Sequence, residues 1–63
     1  MRKWFRDLRK QLGMTQQELA DHVGFSYQLI SKIETGGDIK VKTAKHIAER
    51  LDVNWSKFYG KED

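Results

Sequence analysis

From Thr15 to Thr35 the sequence has room for two short helices, with only Gly24, Phe25 and Ser26 to join them. So short a connection needs a tight turn and sets the second helix at a fixed angle against the first. Local signals bound both helices. Thr15, followed three residues later by Glu18, is a capping-box pattern that predicts a helix start at about Gln16. Leu19, Ala20 and Val23 are its apolar positions, and Gly24 ends it. Ser26 is the next N-cap residue, and it predicts a helix over Tyr27 to Thr35 with Ile30 and Ile33 on the inner face. Ala20 is small where the two helices must approach, and Gly24 accepts the positive φ that a side chain resists. Each of these residues means little alone. Their separations of four, six and three, bracketed by two caps, make a specific pattern.

An apolar helix is predicted on each side of this centre. Trp4, Phe5, Leu8 and Leu12 recur at spacings of three and four, ringed by basic residues, and Gly13 stops the stripe. After a Gly36-Gly37-Asp38 turn, Val41 opens a helix lined by Ala44, Ile47, Ala48 and Leu51. Asp52-Val53-Asn54 is a further turn, with Asn54 capping a last turn that holds Trp55, Phe58 and Tyr59. The aromatic residues Trp4, Phe5, Phe25, Trp55, Phe58 and Tyr59 are expected mostly in the core. The polar tail from Gly60 to Asp63 is expected to fray. The expectation is an all-α fold, a compact five-helix domain over residues 1–63 with a helix-turn-helix at about 16–35. The absence of proline fits, and 63 residues leave no room for a separate sensing or catalytic domain.

Composition narrows the function classes. With no cysteine there is neither a disulfide framework nor a thiolate metal site. No apolar run reaches the length of a membrane span, and the basic N-terminus lacks the apolar stretch of a signal peptide. The chain is therefore read as cytoplasmic, with no membrane partner. Twelve Lys plus Arg against nine Asp plus Glu give a net charge of +3. Arg2, Lys3, Arg6, Arg9 and Lys10 cluster at one end, and Lys40, Lys42 and Lys45 form a second group. Glu18, Asp21, Glu34 and Asp38 fall between them. Two readings stand: an electrostatic footprint for nucleic acid, or two solvated helix faces.

Thr15-Gln16-Gln17-Glu18-Leu19-Ala20, Gly24, Ile30-Ser31-Lys32-Ile33-Glu34 and Ala48-Glu49-Arg50-Leu51-Asp52-Val53 together resemble the Cro and phage-repressor (XRE) family of helix-turn-helix proteins. The likeness runs from about Phe5 to Tyr59. It implies a lambda-repressor-like five-helix domain that binds duplex DNA, usually as a dimer. It also implies that Arg9 and Glu34 form a partly buried, structural salt bridge. The sequence departs from the family pattern at Asp52, where Gly is common, at Ile39, where Pro is common, and at Trp55, where Leu is common. The first two alter turns, and the third is expected to enlarge the late core.

In such a motif the second helix lies in the major groove and presents its N-terminal residues to base edges. With Ile30 and Ile33 inward, the base-reading candidates are Tyr27, Gln28, Ser31 and Lys32. Gln28 suits adenine and Lys32 guanine, Ser31 donates or accepts, and Tyr27 flanks the face. Leu29 lies at the edge of the apolar stripe and is expected to pack. Phosphate-binding candidates are Gln16 at the opening of the supporting helix, Ser26, Thr35, Lys40 and Lys42. Lys45, Arg2, Lys3, Arg6 and Lys10 are left either on a solvated face or beside the DNA backbone.

Other chemistry finds little support. His22 and His46 stand 24 residues apart without ligand-spaced neighbours, so no metal is expected. Ser26 and Ser31 lack the base and acid a hydrolase needs, and Gly36-Gly37 is too short for a phosphate-cradling loop, so no cofactor or catalytic residue is expected. The sequence is read as a DNA-binding regulator of transcription, a small phage or mobile-element repressor. Its partner is a pseudo-palindromic operator, bound as a weak homodimer or one formed on DNA. An antitoxin or restriction-modification controller on the same fold is the alternative, followed by a protein-interaction module without a DNA role.

Overall fold

Local chemistry sets the boundaries of the central helices. The computed structural model describes residues 2–60. Thr15 Oγ1 accepts the Glu18 N–H at 3.1 Å, and Glu18 Oε1 accepts the Thr15 N–H at 2.9 Å. This reciprocal pair satisfies two otherwise free donors and opens α2, Gln16–Val23. Gly24 ends α2 at φ +84°, and the N–H groups of Gly24 and Phe25 both reach the Ala20 carbonyl, at 2.8 and 2.9 Å. Ser26 Oγ then accepts the Leu29 N–H at 3.3 Å and opens α3, Tyr27–Glu34. Thr35 is the C-cap of α3 and not part of the helix.

Two further helices close over this pair. α1 spans Lys3–Gln11 and α4 spans Val41–Leu51. Phe5, Ala20, Val23, Ile30, Ile33, Ala44 and Ile47 are fully buried where the four helices meet. Complete burial of each larger side chain contributes about 1.5–3 kcal/mol. Phe58 completes the core, with its ring 5.0 Å from Trp4 and 5.6 Å from Phe5 between centroids. Leu29 packs partly buried against the core.

The five-helix expectation needs correction in one element. The last element, Trp55–Tyr59, is a 3-10 helix, so the described residues hold four α-helices and one tighter turn. Asn54 Oδ1 accepts the Ser56 N–H at 3.0 Å, and Gly60 at φ +79° stops the helix after five residues. That is too short for an α-helix to repay its nucleation, and 3-10 winding suits short pieces. Leu12 also departs from expectation. It caps α1 instead of extending the stripe, and it is 46% exposed. Trp55 does not enlarge the core either. It is 37% exposed, because Phe58 takes the core position and the Lys45 Nζ covers the Trp55 ring at 4.9 Å. Asp52 takes φ +60° at the end of α4, so the turn where the family commonly has Gly keeps a left-handed residue. Of the tail expected to fray, residues 61–63 lie outside the described residues.

Candidate nucleic-acid interface

α3 has two unlike faces. Ile30, Ile33 and Glu34 are buried, whereas Tyr27, Gln28, Lys32 and Thr35 are exposed and Ser31 is half-buried. Gln28, Lys32 and Thr35 follow one another at spacings of four and three, so they share one outward stripe, flanked by Tyr27 and Ser31. This face is open to solvent. A cleft of about 310 Å³ lies elsewhere, lined by Arg2, Lys3, Trp4, Gly36, Lys57, Phe58 and Gly60, and contains none of the base-reading candidates. An exposed polar helix face that lines no described cleft suits insertion into a groove better than enclosure of a small molecule.

The supporting helix is tied to α3 by one carboxylate. Glu34 is 4% exposed. Arg9 Nε donates to Glu34 Oε2 at 2.5 Å, and Arg9 Nη2 donates to Oε1 at 3.4 Å. Gln16 Nε2 donates to the same Oε1 at 3.2 Å. Arg9 Nη1 also donates to the Met14 carbonyl at 2.9 Å, which fixes the chain just ahead of the Thr15 cap. Thus α1, the start of α2 and the end of α3 meet at Glu34. An amide nitrogen carries two hydrogens, so Gln16 keeps one to donate outward while Glu34 holds the other.

The remaining phosphate candidates differ in what they have left to donate. Ser26 Oγ accepts from Leu29, which leaves its own hydrogen free. Thr35 Oγ1 already donates to the carbonyls of Lys32 at 3.0 Å and Ser31 at 3.2 Å. Its single hydrogen is therefore spoken for. Lys40 and Lys42 are exposed at the start of α4. Lys40 is the N-cap there and makes no side-chain cap bond, so the first N–H groups of α4 have no partner from its side chain. Among the described residues, no hydrogen bond links Lys40 or Lys42 to the outward stripe of α3.

The other cations and both histidines have distinct places. Lys3 pairs with Asp7 at 3.0 Å on the solvent side of α1. Lys10 is exposed, and Arg6 is half-buried with its Nε buried and unpartnered. Arg2 lies on neither a solvated face nor the outward stripe of α3. Its guanidinium is turned inward onto the carbonyls of Ile33, Gly37 and Phe58. Sequence reasoning missed this role because nothing in the spacing separates Arg2 from its basic neighbours. Tyr59 was missed as well. Its ring is 39% exposed, yet its hydroxyl donates to the Ile39 carbonyl at 2.6 Å. The available signal was chemical, since a tyrosine packed at one end usually finds a partner for its hydroxyl. His22 is exposed, and His46 Nε2 lies 3.2 Å from the Val23 carbonyl, with its ring edge-on to Phe25.

Two helices crossing at a three-residue turn, the second with a polar outer face, define the helix-turn-helix class. The profile of a family described as helix-turn-helix matches residues 5–58. The chain belongs to that family, in its Cro and phage-repressor type. A relative from Methanothermobacter thermautotrophicus, described as an uncharacterized HTH-type transcriptional regulator, is 50% identical over 36 residues. The matched stretch is 57% of this chain and 52% of the relative, so the chain spans about half the length of the relative it matches. No solved structure gives a significant match. Among the described residues, no helix is long and apolar enough to cross a membrane.

Proposed function

We propose that this chain is a sequence-specific, double-stranded-DNA-binding regulator of transcription, a small repressor of the phage or mobile-element kind. The observation that carries this reading is the division of α3. Its inner face is locked into the core by Ile30 and Ile33, while Tyr27, Gln28 and Lys32 project from the other side. In this proposal α3 enters the major groove. Gln28 pairs with an adenine edge and Lys32 with guanine, while Ser31 and Tyr27 flank them. Gln16 and Ser26, each with a free hydrogen, hold the phosphate backbone on one side, and Lys40 and Lys42 hold it on the other. Thr35 joins them only by giving up its bonds to α3. Arg9 and Glu34 are structural and touch no DNA.

Size supports a twofold complex. The domain measures 26 × 21 × 21 Å, less than the roughly 34–36 Å between half-sites one helical turn apart. Two copies are therefore needed to read a pseudo-palindrome. The exposed Trp55 and Tyr59 rings sit at the end suited to a small dimer patch. So small a patch holds a dimer together only on DNA. Sedimentation is expected to show a monomer without DNA, and a tight free dimer overturns that part of the reading.

The deciding experiment is fluorescence anisotropy with random-sequence duplex at several salt concentrations. Affinity is expected to fall steeply with salt, with a logarithmic slope of about −0.9 per phosphate contact. After operator selection, Gln28→Ala is expected to lose about 1–3 kcal/mol on the operator and little on random duplex. No binding at about 50 mM salt, where non-specific association is strongest, overturns the reading.

A further inference from the structure

Arg2 and the last element, Trp55–Tyr59, converge on the segment that leaves α3. Arg2 Nη1 donates to the carbonyls of Ile33 at 2.8 Å and Gly37 at 2.7 Å. Arg2 Nε and Nη2 donate to the Phe58 carbonyl at 3.2 and 3.1 Å, and the Arg2 backbone N–H donates to Glu34 at 2.9 Å. A cation thus caps the C-terminus of α3, where the helix dipole favours it. Two residues past Gly37, the Tyr59 hydroxyl takes the Ile39 carbonyl, and the Ile39 side chain is 8% exposed. Gly37 lies so close to α3 that an added Cβ would stand 2.5 Å from Lys32 Cγ and 3.0 Å from the Lys32 carbonyl. The Gly37 N–H donates to that carbonyl at 2.8 Å. The loop between Thr35 and Lys40 is therefore pinned at Gly37 and Ile39, immediately ahead of Lys40.

We propose that Arg2 and Tyr59 are positioning residues for DNA binding. Resting on the DNA-binding reading, the inference is that they form a clasp on the α3–α4 loop. The clasp holds Lys40, Lys42 and the uncapped start of α4 in the shape that meets a phosphate. The physical reason is entropic. Every loop residue that must be ordered during binding subtracts from affinity, and a loop ordered beforehand does not. The Tyr59 hydroxyl bonds only Ile39, and neither it nor the Arg2 side chain hydrogen-bonds a side chain of the outward stripe of α3 or the Ser26 N-cap, so the Tyr59 half of the clasp acts on phosphate engagement.

Tyr59→Phe tests this by removing one oxygen while keeping the ring that packs edge-on to Trp55. The wild-type chain and the variant are titrated in parallel with random duplex and with selected operator across a salt series. The variant is expected to bind more weakly at every salt concentration with the logarithmic slope unchanged, because the same phosphates are met once the loop is ordered. Its affinity falls by the same factor on both duplexes, so the operator-to-random ratio is unchanged. Arg2→Lys keeps the charge but loses the planar fork, and a larger loss of affinity is expected, with a lowered operator-to-random ratio because the Gly37 that Arg2 holds packs on Lys32. Amide exchange without DNA is expected to rise in residues 37–42 of Tyr59→Phe and nowhere else. Wild-type affinity and loop exchange in Tyr59→Phe overturn the clasp, as does a fallen operator-to-random ratio in that variant. If Arg2→Lys fails to fold, Tyr59→Phe decides alone. A wild-type chain that does not bind DNA at about 50 mM salt removes the DNA reading itself, a failure distinct from that of the clasp.

Discussion

The two ends of α3 are held in opposite ways. Its N-terminus is fixed from within, by Ser26 accepting the N–H of Leu29 three residues on. Its C-terminus is fixed from a distance, by Arg9 at a separation of 25 residues, Gln16 at 18 and Arg2 at 31. The first end carries the exposed Tyr27 and Gln28; the second carries the buried Glu34. A helix that enters a groove must be free at its leading end, so only a short local cap fits there. The trailing end gains its rigidity from the rest of the domain. The difference teaches where tolerance lies: on the proposed reading, side-chain changes on the exposed leading end are expected to alter recognition, and loss of the buried trailing-end carboxylate is expected to alter the fold.

Glu34→Ala gives the largest break in that contrast. It strands the Arg9 guanidinium, whose side chain is 13% exposed, and removes the acceptor of Gln16. Leaving one partner of a buried pair uncompensated costs about 3–5 kcal/mol, a large share of the roughly 5–15 kcal/mol that stabilises a domain. Urea denaturation is expected to show this loss. Replacing both partners with apolar residues, Arg9→Met together with Glu34→Leu, is expected to restore most of it, because no charge then remains buried. A double variant as unstable as the single one would mean that the carboxylate matters through Gln16 instead.

The same contrast explains what the sequence disclosed. Features set by near neighbours were legible: the Thr15–Glu18 box, the Gly24 turn, the Ser26 cap and the two faces of α3. Each depends on residues within about one helical turn, where spacing is geometry. The trailing end was legible only at Arg9 and Glu34, and there through family resemblance. Arg2 is one of five cations in the first ten residues, and no periodicity marks it out. Its role follows from carbonyls of Ile33, Gly37 and Phe58, which only the folded chain brings within reach. Trp55 misled for a related reason. A large aromatic near the end of a small domain reads as core, but Phe58 fills the space between Trp4 and Phe5. The hydroxyl of Thr35 is a third case, because composition does not reveal which acceptor a hydroxyl chooses.

The smallest effect belongs at the leading end and tests whether its cap is as local as the structure shows. Ser26→Ala removes the oxygen that accepts the Leu29 N–H and is expected to lower stability by about 1 kcal/mol. Ser26→Gly is expected to lose only a few tenths of that unit, since glycine at an N-cap leaves the N–H open to water. Denaturant midpoints at unchanged slope measure both. On DNA the two variants are expected to agree, because each lacks the hydroxyl hydrogen proposed to meet a phosphate. Their operator affinities should fall together, with the salt slope unchanged, because a hydroxyl bonds a phosphate without neutralising it. A common loss on DNA with unequal stabilities separates the two jobs of Ser26, capping through its lone pair and binding through its hydrogen. Affinities that track stability instead would make Ser26 a cap alone, and would leave Gln16 as the phosphate donor at the start of the motif.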